Sequence, residues 1–546
     1  MFQTIKFKDT KALKRLPNGE PFPFNYAPPR MDRNALFAIN KMFPREKVRA
    51  VMEKYHRSRL TCDFLKADLY EYGVEKVPNT CSESLNLVVE SVCRDLLPQH
   101  KLIPLTLGAV AKHENFPNSK SPGLPYKLQG IKTKREAIDD PAIFQEINDM
   151  WYRTEYNRDV QFPDVCCFGR AVVTTRDKNK ARATWGYPLS MYMGEGQFFY
   201  PILEWLKSHP NPRIAYGIEI NNGGMEYIDR MCKMFPESTI LLGDWKKFDK
   251  TPPPWLIRIA FRILEQCIDF TQVQDSEGNF WPVREYRCRR RWKKIIDYFI
   301  NTPIRMSDGE RYIKYGGVPS GTCFTNVIDS IINMIVMRYL IYEMTGRLPL
   351  GDIYLGDDSA VVLPQPINLD QFSQLAEQYF GMIFNTEKSY TTTNLNNVFF
   401  LGYFNVYGRP YKTIDTMIAS TIYPEYMCKT KLETIARCIG QAYSTFDPVY
   451  ANFFFHAAKI LQDEENIENR FIEWYIQTHP QQFKFLQTIG VALSDIRIPT
   501  TDPQDLCFST QPRPMRKRFV NVFHDLSDLF TNNRLDCFNL SEETTG

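Results

Sequence analysis

Two adjacent carboxylates, Asp357 and Asp358, stand in IYLGDDSAVVL (Ile353 to Leu363) between two apolar runs. Drawing both toward a core costs desolvation and sets like charges side by side. A hard divalent cation is the natural counter-charge, and Mg²⁺ binds through one or two carboxylates plus substrate phosphates. Two such ions about 3.5–4 Å apart form a clamp used for phosphoryl transfer, and that clamp needs a further acid from elsewhere in the chain. GDWKKFDK supplies Asp244 at the end of the apolar run in TILLGDW, with Asp249 five residues later. An isolated pair of aspartates is ordinarily a solvated turn. Here both acids terminate apolar runs, which weighs against that reading.

Two more segments carry groups suited to phosphate and sugar. GGVPSGTCFTNVIDS places Ser320 and Gly321 in a loop, then Thr325 and Asp329 four apart on one face of the helix that follows. A backbone freed by glycine and followed by hydroxyls can approach a sugar and its phosphates closely, although such a loop alone is also a plain helix cap. RDKNKARATWGYP sets Arg176, Lys178, Lys180 and Arg182 at every second position, so a strand would present all four on one face to a triphosphate. An edge strand protected by charge would look the same.

The elements that must position these groups follow from periodicity. TILLGDW (Thr239 to Trp245) is predicted as a buried strand, and TPPPWLIRIAFRILEQCIDF as a helix entered through prolines. VREYRCRRRWKK (Val283 to Lys294) is a basic stretch carrying Tyr286 and Trp292, and a hairpin is predicted over Pro303 to Tyr315. The glycine-rich loop opens a long helix ending near Gly346, and IYLGDDSAVVL is two short strands joined by the turn that carries both aspartates. Beyond Pro410 the pattern becomes mainly helical, and the N-terminal PNGEPFPFNYAPPR (Pro17 to Arg30) predicts extended chain on a surface.

Composition bounds the class. Hydrophobic residues at 43% and charged residues at 24% exclude a disordered tail or a membrane bundle. A net charge of +4 is mild, so an anionic partner would be held by a local basic channel. The 13 cysteines are scattered, without a CxxC spacing, which argues against a zinc site or a disulfide framework and fits a reducing compartment. MFQTIKFKDTKALKRL lacks the apolar core of a signal peptide and suits a short basic helix or arm. Thr322 to Thr345 is interrupted by Asn326, Asp329, Asn333 and Arg338, so a membrane span is not expected, and the chain reads as a soluble intracellular protein.

In order and content these segments resemble the motifs of viral RNA-dependent RNA polymerases. SPGLPY (Ser121 to Tyr126) is similar to the template-guiding motif of the fingers, and KAR (Lys180 to Arg182) to the nucleotide-contacting one. DWKKFD, SGTCFT with Asp329, and GDD resemble the first three palm motifs, NTEKSY (Asn385 to Tyr390) the fourth and FLGYF (Phe400 to Phe404) the fifth. DWKKFD, GVPSGTCFTNVIDS and GDDS are most similar to double-stranded RNA viruses of the partitivirus type, with picobirnaviruses next.

The resemblance implies an α/β (α+β) right-hand fold: fingers, a palm of antiparallel sheet plus helices, and a helical thumb, closed by finger–thumb contacts. The implied divisions are an N-terminal linking segment (1–100), fingers (101–235 with an insertion at 266–312), palm (236–265 and 313–410), and thumb with the C-terminal segment (411–546). It implies that Asp244 and Asp357 bridge two Mg²⁺ (or Mn²⁺) ions with Asp358 assisting, and that Lys388 protonates pyrophosphate. Asp249, Ser320 and Thr325 would sense the ribose 2′-hydroxyl beside Gly321. Arg182 would stack on the incoming base, with Lys180 and Arg176 toward its phosphates; Ser121, Gly123 and Pro125 would guide template. Asp329 stands where plus-strand RNA viruses have Asn, and an extra carboxylate near Asp249 either raises one of the two pKa values or requires a basic neighbour.

The implied partners are a single-stranded RNA template, a double-stranded RNA product, nucleoside triphosphates and a viral capsid protein. The chain would act as a monomer without a membrane, in the virion interior or host cytoplasm, in genome replication and transcription. A reverse transcriptase would present a bulky aromatic near the sugar where this chain has Asp249. A non-catalytic RNA-binding or capsid-associated relative would lack a metal acid, and a phosphatase or nuclease would not need these segments in this order. QPRPMRKRFVNVFHDLSDLFTNN (Gln511 to Asn533) reads either as a last thumb helix or, through Arg513, Arg516, Lys517 and Arg518, as an RNA exit lining.

Overall fold

The computed structural model describes residues 6–26 and 31–499. The C-terminal basic cluster lies outside the described residues. Apolar residues alternate in the strand Ile240–Gly243 and in the hairpin strands Gly351–Leu355 and Asp358–Val362, and these three form a four-stranded antiparallel sheet with Tyr390–Thr392. Leu241, Val361 and Tyr354 enter one hydrophobic core; Ile240, Leu242, Ile353, Ala360 and Val362 enter another on the opposite face. This is the period-2 signature of a sheet buried on both sides.

The helix Thr325–Thr345 is the central helix of the first core. It is apolar on nearly all sides because it contacts the helices Ser84–Leu96, Pro254–Gln266 and Leu369–Phe380 as well as the sheet. Among the described residues no helix is long and apolar enough to cross a membrane. Three buried polar residues of the central helix, Ser330, Asn333 and Arg338, have internal partners. Arg338 joins Asp352 at 2.7 Å and Asp95 at 2.6 Å. Ser330 accepts the Gly356 N–H at 2.8 Å, and Asn333 donates to the Gly356 carbonyl at 3.0 Å while accepting the Trp245 indole N–H at 3.1 Å. The hairpin turn is thereby pinned to the central helix.

A second, five-stranded sheet runs in the order Leu13–Leu16, Arg311–Lys314, Pro303–Arg305, Val165–Ala171, Ala181–Gly186. The predicted hairpin at 303–315 forms its middle. Leu13–Leu16 of the N-terminal segment is a strand of this sheet rather than part of a basic helix, paired antiparallel with Arg311–Lys314 and anchored by the buried Leu13. The first hundred residues also fold into four helices, Arg33–Met42, Arg45–Lys54, Cys62–Tyr70 and Ser84–Leu96. Beyond residue 410 the described chain is helical, with Ile414–Ile422, Lys431–Ser444, Pro448–Glu465 and Asn469–Thr478 forming a bundle with Arg33–Met42.

The single basic strand expected over Arg176 to Arg182 is not present. The strand Val173–Thr175 ends in a turn at Arg176–Asp177, and the next strand starts at Ala181. The Asp and Asn of RDKNK favour that turn over a continuous strand. Arg176 is turned away, donating to the Met52 carbonyl at 2.7 Å and the Tyr423 hydroxyl at 3.3 Å, so it does not share a face with Lys180 and Arg182.

Candidate active site

Asp244 extends the strand Ile240–Gly243, Asp357 occupies the hairpin turn, and Asp358 opens the strand after it. Gly243 pairs with Ser359, so one step further along this antiparallel register brings Asp244 beside Asp358. The Asp244 carboxylate accepts from Asn385 Nδ2 at 2.6 Å, and its backbone N–H donates to Ser389 Oγ at 2.8 Å. The NTEKSY segment therefore holds the first acid in place.

The acids repel one another in a dry setting. Burial, then Asp357 and Asp244, push the Asp358 carboxyl up to about 7. Burial raises Asp357 as well, with Asp244 and Asp249 adding to it and Arg182 opposing. Among the described residues no three carboxylate, imidazole or thiolate groups close around one point. A cation shared with substrate phosphates needs only one or two protein carboxylates, which the neighbouring Asp244, Asp357 and Asp358 can supply.

A cavity of about 620 Å³ opens beside Asp357. Lys178, Lys180 and Arg182 line one side, and Asp249, Ser320, Thr325 and Asp329 line another. Burial, then Arg182 and Lys388, lower the Lys180 ammonium, while Asp244 and Asp357 oppose that shift. Lys388 is thus an electrostatic neighbour of the cavity, on an exposed loop.

Asp329 resolves the expected conflict with Asp249 in both ways at once. Burial, then Asp249 and Asp357, raise its carboxyl well above the usual range, and its buried Oδ1 has no hydrogen-bond partner among the described residues. The basic neighbour is Lys250, which lies 3.2 Å from Asp249 and 3.1 Å from Asp68. Burial works against the Lys250 charge, but Asp249, Asp68 and Glu71 outweigh it and hold the ammonium above its ordinary value. Tyr72 donates to Asp249 Oδ2 at 3.1 Å and to the Val318 carbonyl at 2.8 Å. Tyr72 and Asp68 carry no local signal, since they reach Asp249 and Lys250 respectively from about 180 residues upstream. Lys250 adjoins Asp249 in the sequence, and that adjacency could have flagged it.

The loop before the central helix is built by close approach. Gly321 has φ +116°, and a Cβ there would sit 2.2 Å from the Trp185 carbonyl oxygen. The Trp185 N–H donates to the Ser320 carbonyl at 2.8 Å, fixing the loop to the strand that carries Arg182. The Thr325 hydroxyl does not stand open to a sugar: it accepts from the Gly321 and Thr322 N–H groups and donates to the Pro319 carbonyl at 2.7 Å. Ser121, Gly123 and Pro125 lie apart from the cavity lining, where Gly123, with φ +68°, fits against the Tyr187 carbonyl and Lys134 donates to the Ser121 carbonyl at 2.8 Å.

The structure is similar to Sicinivirus 3Dpol RNA-dependent RNA polymerase, with a TM-score of 0.65 and 16% identity over 88% of this chain and 100% of that one. The fold is that of a right-hand polymerase. Residues 37–407 match the family described as viral RNA-dependent RNA polymerase, and the chain belongs to that family. It is similar to the RNA-directed RNA polymerase of White clover cryptic virus 1, 28% identical over 55% of this chain and 52% of that protein. It is also similar to that of Atkinsonella hypoxylon virus, 26% identical over 60% and 52%. The polymerase of Cryptosporidium parvum virus 1 is 26% identical over 77% and 76%. The chain spans about half the length of the first two relatives.

Proposed function

We propose that this chain is an RNA-dependent RNA polymerase of a partitivirus-like double-stranded RNA virus, joining nucleoside triphosphates on a single-stranded RNA template to give duplex product. The observation that carries the reading is Asp244 and Asp358 side by side at one end of the central sheet, next to Asp357, which lines a nucleotide-sized cavity together with Lys180 and Arg182. Three neighbouring carboxylates have the donor chemistry for divalent cations, and Asp244 and Asp357 would hold two Mg²⁺ or Mn²⁺ ions with Asp358 assisting. The chemistry such ions supply is acidification of a 3′-hydroxyl and neutralisation of charge on departing pyrophosphate.

The chain's own residues do the rest. Lys180 and Arg182 bind and orient the triphosphate, Asn385 and Ser389 fix the Asp244 rotamer and backbone, and Lys388 delivers a proton toward pyrophosphate. Asp249, oriented by Tyr72 and Lys250, accepts from the ribose 2′-hydroxyl near Ser320, while Thr325 and Gly321 shape the loop. Ser121, Gly123 and Pro125 guide template by backbone shape. The protein works as a monomer in a capsid-associated setting, in virion or host cytoplasm. Incorporation of labelled nucleotide by the purified chain on an RNA template tests this. Asp244→Ala and Asp357→Ala are expected to abolish incorporation while the far-ultraviolet spectrum is kept; synthesis by the Asp357→Ala protein sinks the assignment.

A further inference from the structure

The basic stretch at Val283 to Lys294 takes no part in the cavity beside Asp357. It forms most of the helix Glu285–Ile300, and with the helix Pro141–Glu155 it borders a separate cavity of about 470 Å³ that shares no lining residue with the first. Arg284, Arg287 and Arg291 line it. Arg291 is neutralised by Glu155 at 2.7 Å and tied to Gln197 at 2.9 Å. Arg287 has no carboxylate of its own: its guanidinium is hydrogen-bonded to the exposed Tyr286, with Glu155 acting only through its charge, and its Nε, shielded from solvent, has no hydrogen-bond partner among the described residues.

Around Arg287, which lines this cavity, aromatic rings and guanidinium groups are interleaved. Tyr152 and Tyr156 have ring centroids 4.8 Å apart, and Arg287 lies 4.4 Å from the Tyr156 centroid. Arg287 is also 5.9 Å from the Tyr286 ring, and Arg290 is 5.1 Å from it on the same helix. The three tyrosines are 54%, 39% and 48% exposed, so little of their apolar surface is used in the core. Half-open rings interleaved with cations suit a chain that offers flat bases and phosphates at alternating positions. Bases stack on aromatic rings and on guanidinium planes, and phosphates take the charge. An acidic protein segment would satisfy the arginines and leave the rings without stacking partners.

We infer that the face built by Tyr152, Tyr156, Arg284, Tyr286, Arg287 and Arg290 is a second, sequence-indifferent binding site for single-stranded RNA, separate from the catalytic cavity. Because binding is read directly, the assignment stands or falls independently of polymerase activity. The probe is a single-stranded oligouridylate carrying 4-thiouridine, cross-linked to the full chain and mapped by peptide mass spectrometry. Cross-links at Tyr152, Tyr156 or Tyr286 are expected; cross-links confined to residues of the catalytic cavity overturn the proposal, and this map needs no variant to fold.

In equilibrium binding, Tyr156→Ala with Tyr286→Ala is expected to lower oligouridylate affinity about tenfold. Arg284→Gln with Arg287→Gln is expected to flatten the salt dependence by about 0.7 in log–log slope per charge removed. Incorporation on a short primed template stays as in the unsubstituted protein. Unchanged affinity in a folded tyrosine double variant overturns the site. If only the arginine changes matter and polyglutamate competes as well as RNA, the face serves an acidic protein and the RNA assignment is wrong.

Discussion

The Asp358 carboxyl, pushed up to about 7 by burial and by its two acidic neighbours, links catalysis to stability at one atom group. An unfolded aspartate titrates near about 3.9, so between that pH and about 7 the folded chain keeps a proton that the unfolded chain has released. Stability contributed by this group therefore falls as pH rises, and the loss is complete above about pH 7. In metal-free protein, Asp358→Asn should raise the melting temperature by a few degrees at pH 8 and leave it near the unsubstituted value at pH 4. Added Mg²⁺ should stabilise the unsubstituted chain at pH 8 by mass action, and Asp358→Asn should reduce that gain. Equal melting of the two proteins at both pH values, with and without Mg²⁺, would show that the acids neither repel nor share a cation. Asp249 makes a different claim, on sugar choice. Losing one hydrogen-bond acceptor for the 2′-hydroxyl is worth about 1–3 kcal/mol. Asp249→Ala should therefore cut the ratio of ribonucleotide to deoxyribonucleotide efficiency by about 5- to 150-fold; an unchanged ratio assigns the residue to the Tyr72–Lys250 network alone.

At the scale of elements, the hairpin that carries Asp357 and Asp358 depends on a helix residue outside the cavity lining. Asn333 is fully buried and joins the Gly356 carbonyl to the Trp245 indole, so it braces both acid-bearing segments at once. Asn333→Ala strands two buried polar groups, and a loss of about 2–4 kcal/mol is expected in denaturant melts. The turnover number should fall more than the Michaelis constant for nucleotide rises, because Asp357 loses its mount while Lys180 and Arg182 keep theirs. The reverse split would place Asn333 in nucleotide binding. In the sequence, Asn333 was visible only as a polar break in an apolar helix. That case shows where reading stops: strands at 240–243 and 351–362 and the helix at 325–345 were legible because apolar periods of 2 and continuous burial are local. The turn at Arg176–Asp177 was hidden because alternating basic residues satisfy strand and turn alike, and the Asp and Asn that decide for the turn sit inside the alternation. Tyr72, Asp68 and Arg176's true partners depend on pairings across more than a hundred residues, which no local pattern encodes.

Across the whole molecule, the N-terminal segment works as a strap. Leu13–Leu16 extends the five-stranded sheet, Phe22 and Phe24 pack on Phe168 of that sheet, and Arg33–Met42 lies in the C-terminal helical bundle. Further on, Arg57 donates to the carbonyls of both Ala171 and Tyr423, and Tyr72 reaches the candidate active site. One stretch of chain thus ties sheet, bundle and candidate site together, and its buried fastening is Asp32. That carboxylate caps Arg33–Met42 through the Ala35 N–H at 3.1 Å and accepts from Thr434 Oγ at 2.8 Å and Arg437 at 3.1 Å in the bundle. Removing one partner of a buried ion pair costs about 3–5 kcal/mol, because the other charge remains buried without it. Asp32→Ala should lose about that much stability, and Asp32→Ala with Arg437→Ala should lose less than the two single changes added together. If the strap keeps the hand closed around duplex RNA, Asp32→Ala should also shorten products made after a heparin challenge, while single-nucleotide addition on a primed template changes little. Full-length products from a destabilised Asp32→Ala protein would limit the strap to folding and leave closure to other contacts, such as the paired Arg170 and Glu425 at 2.7 Å.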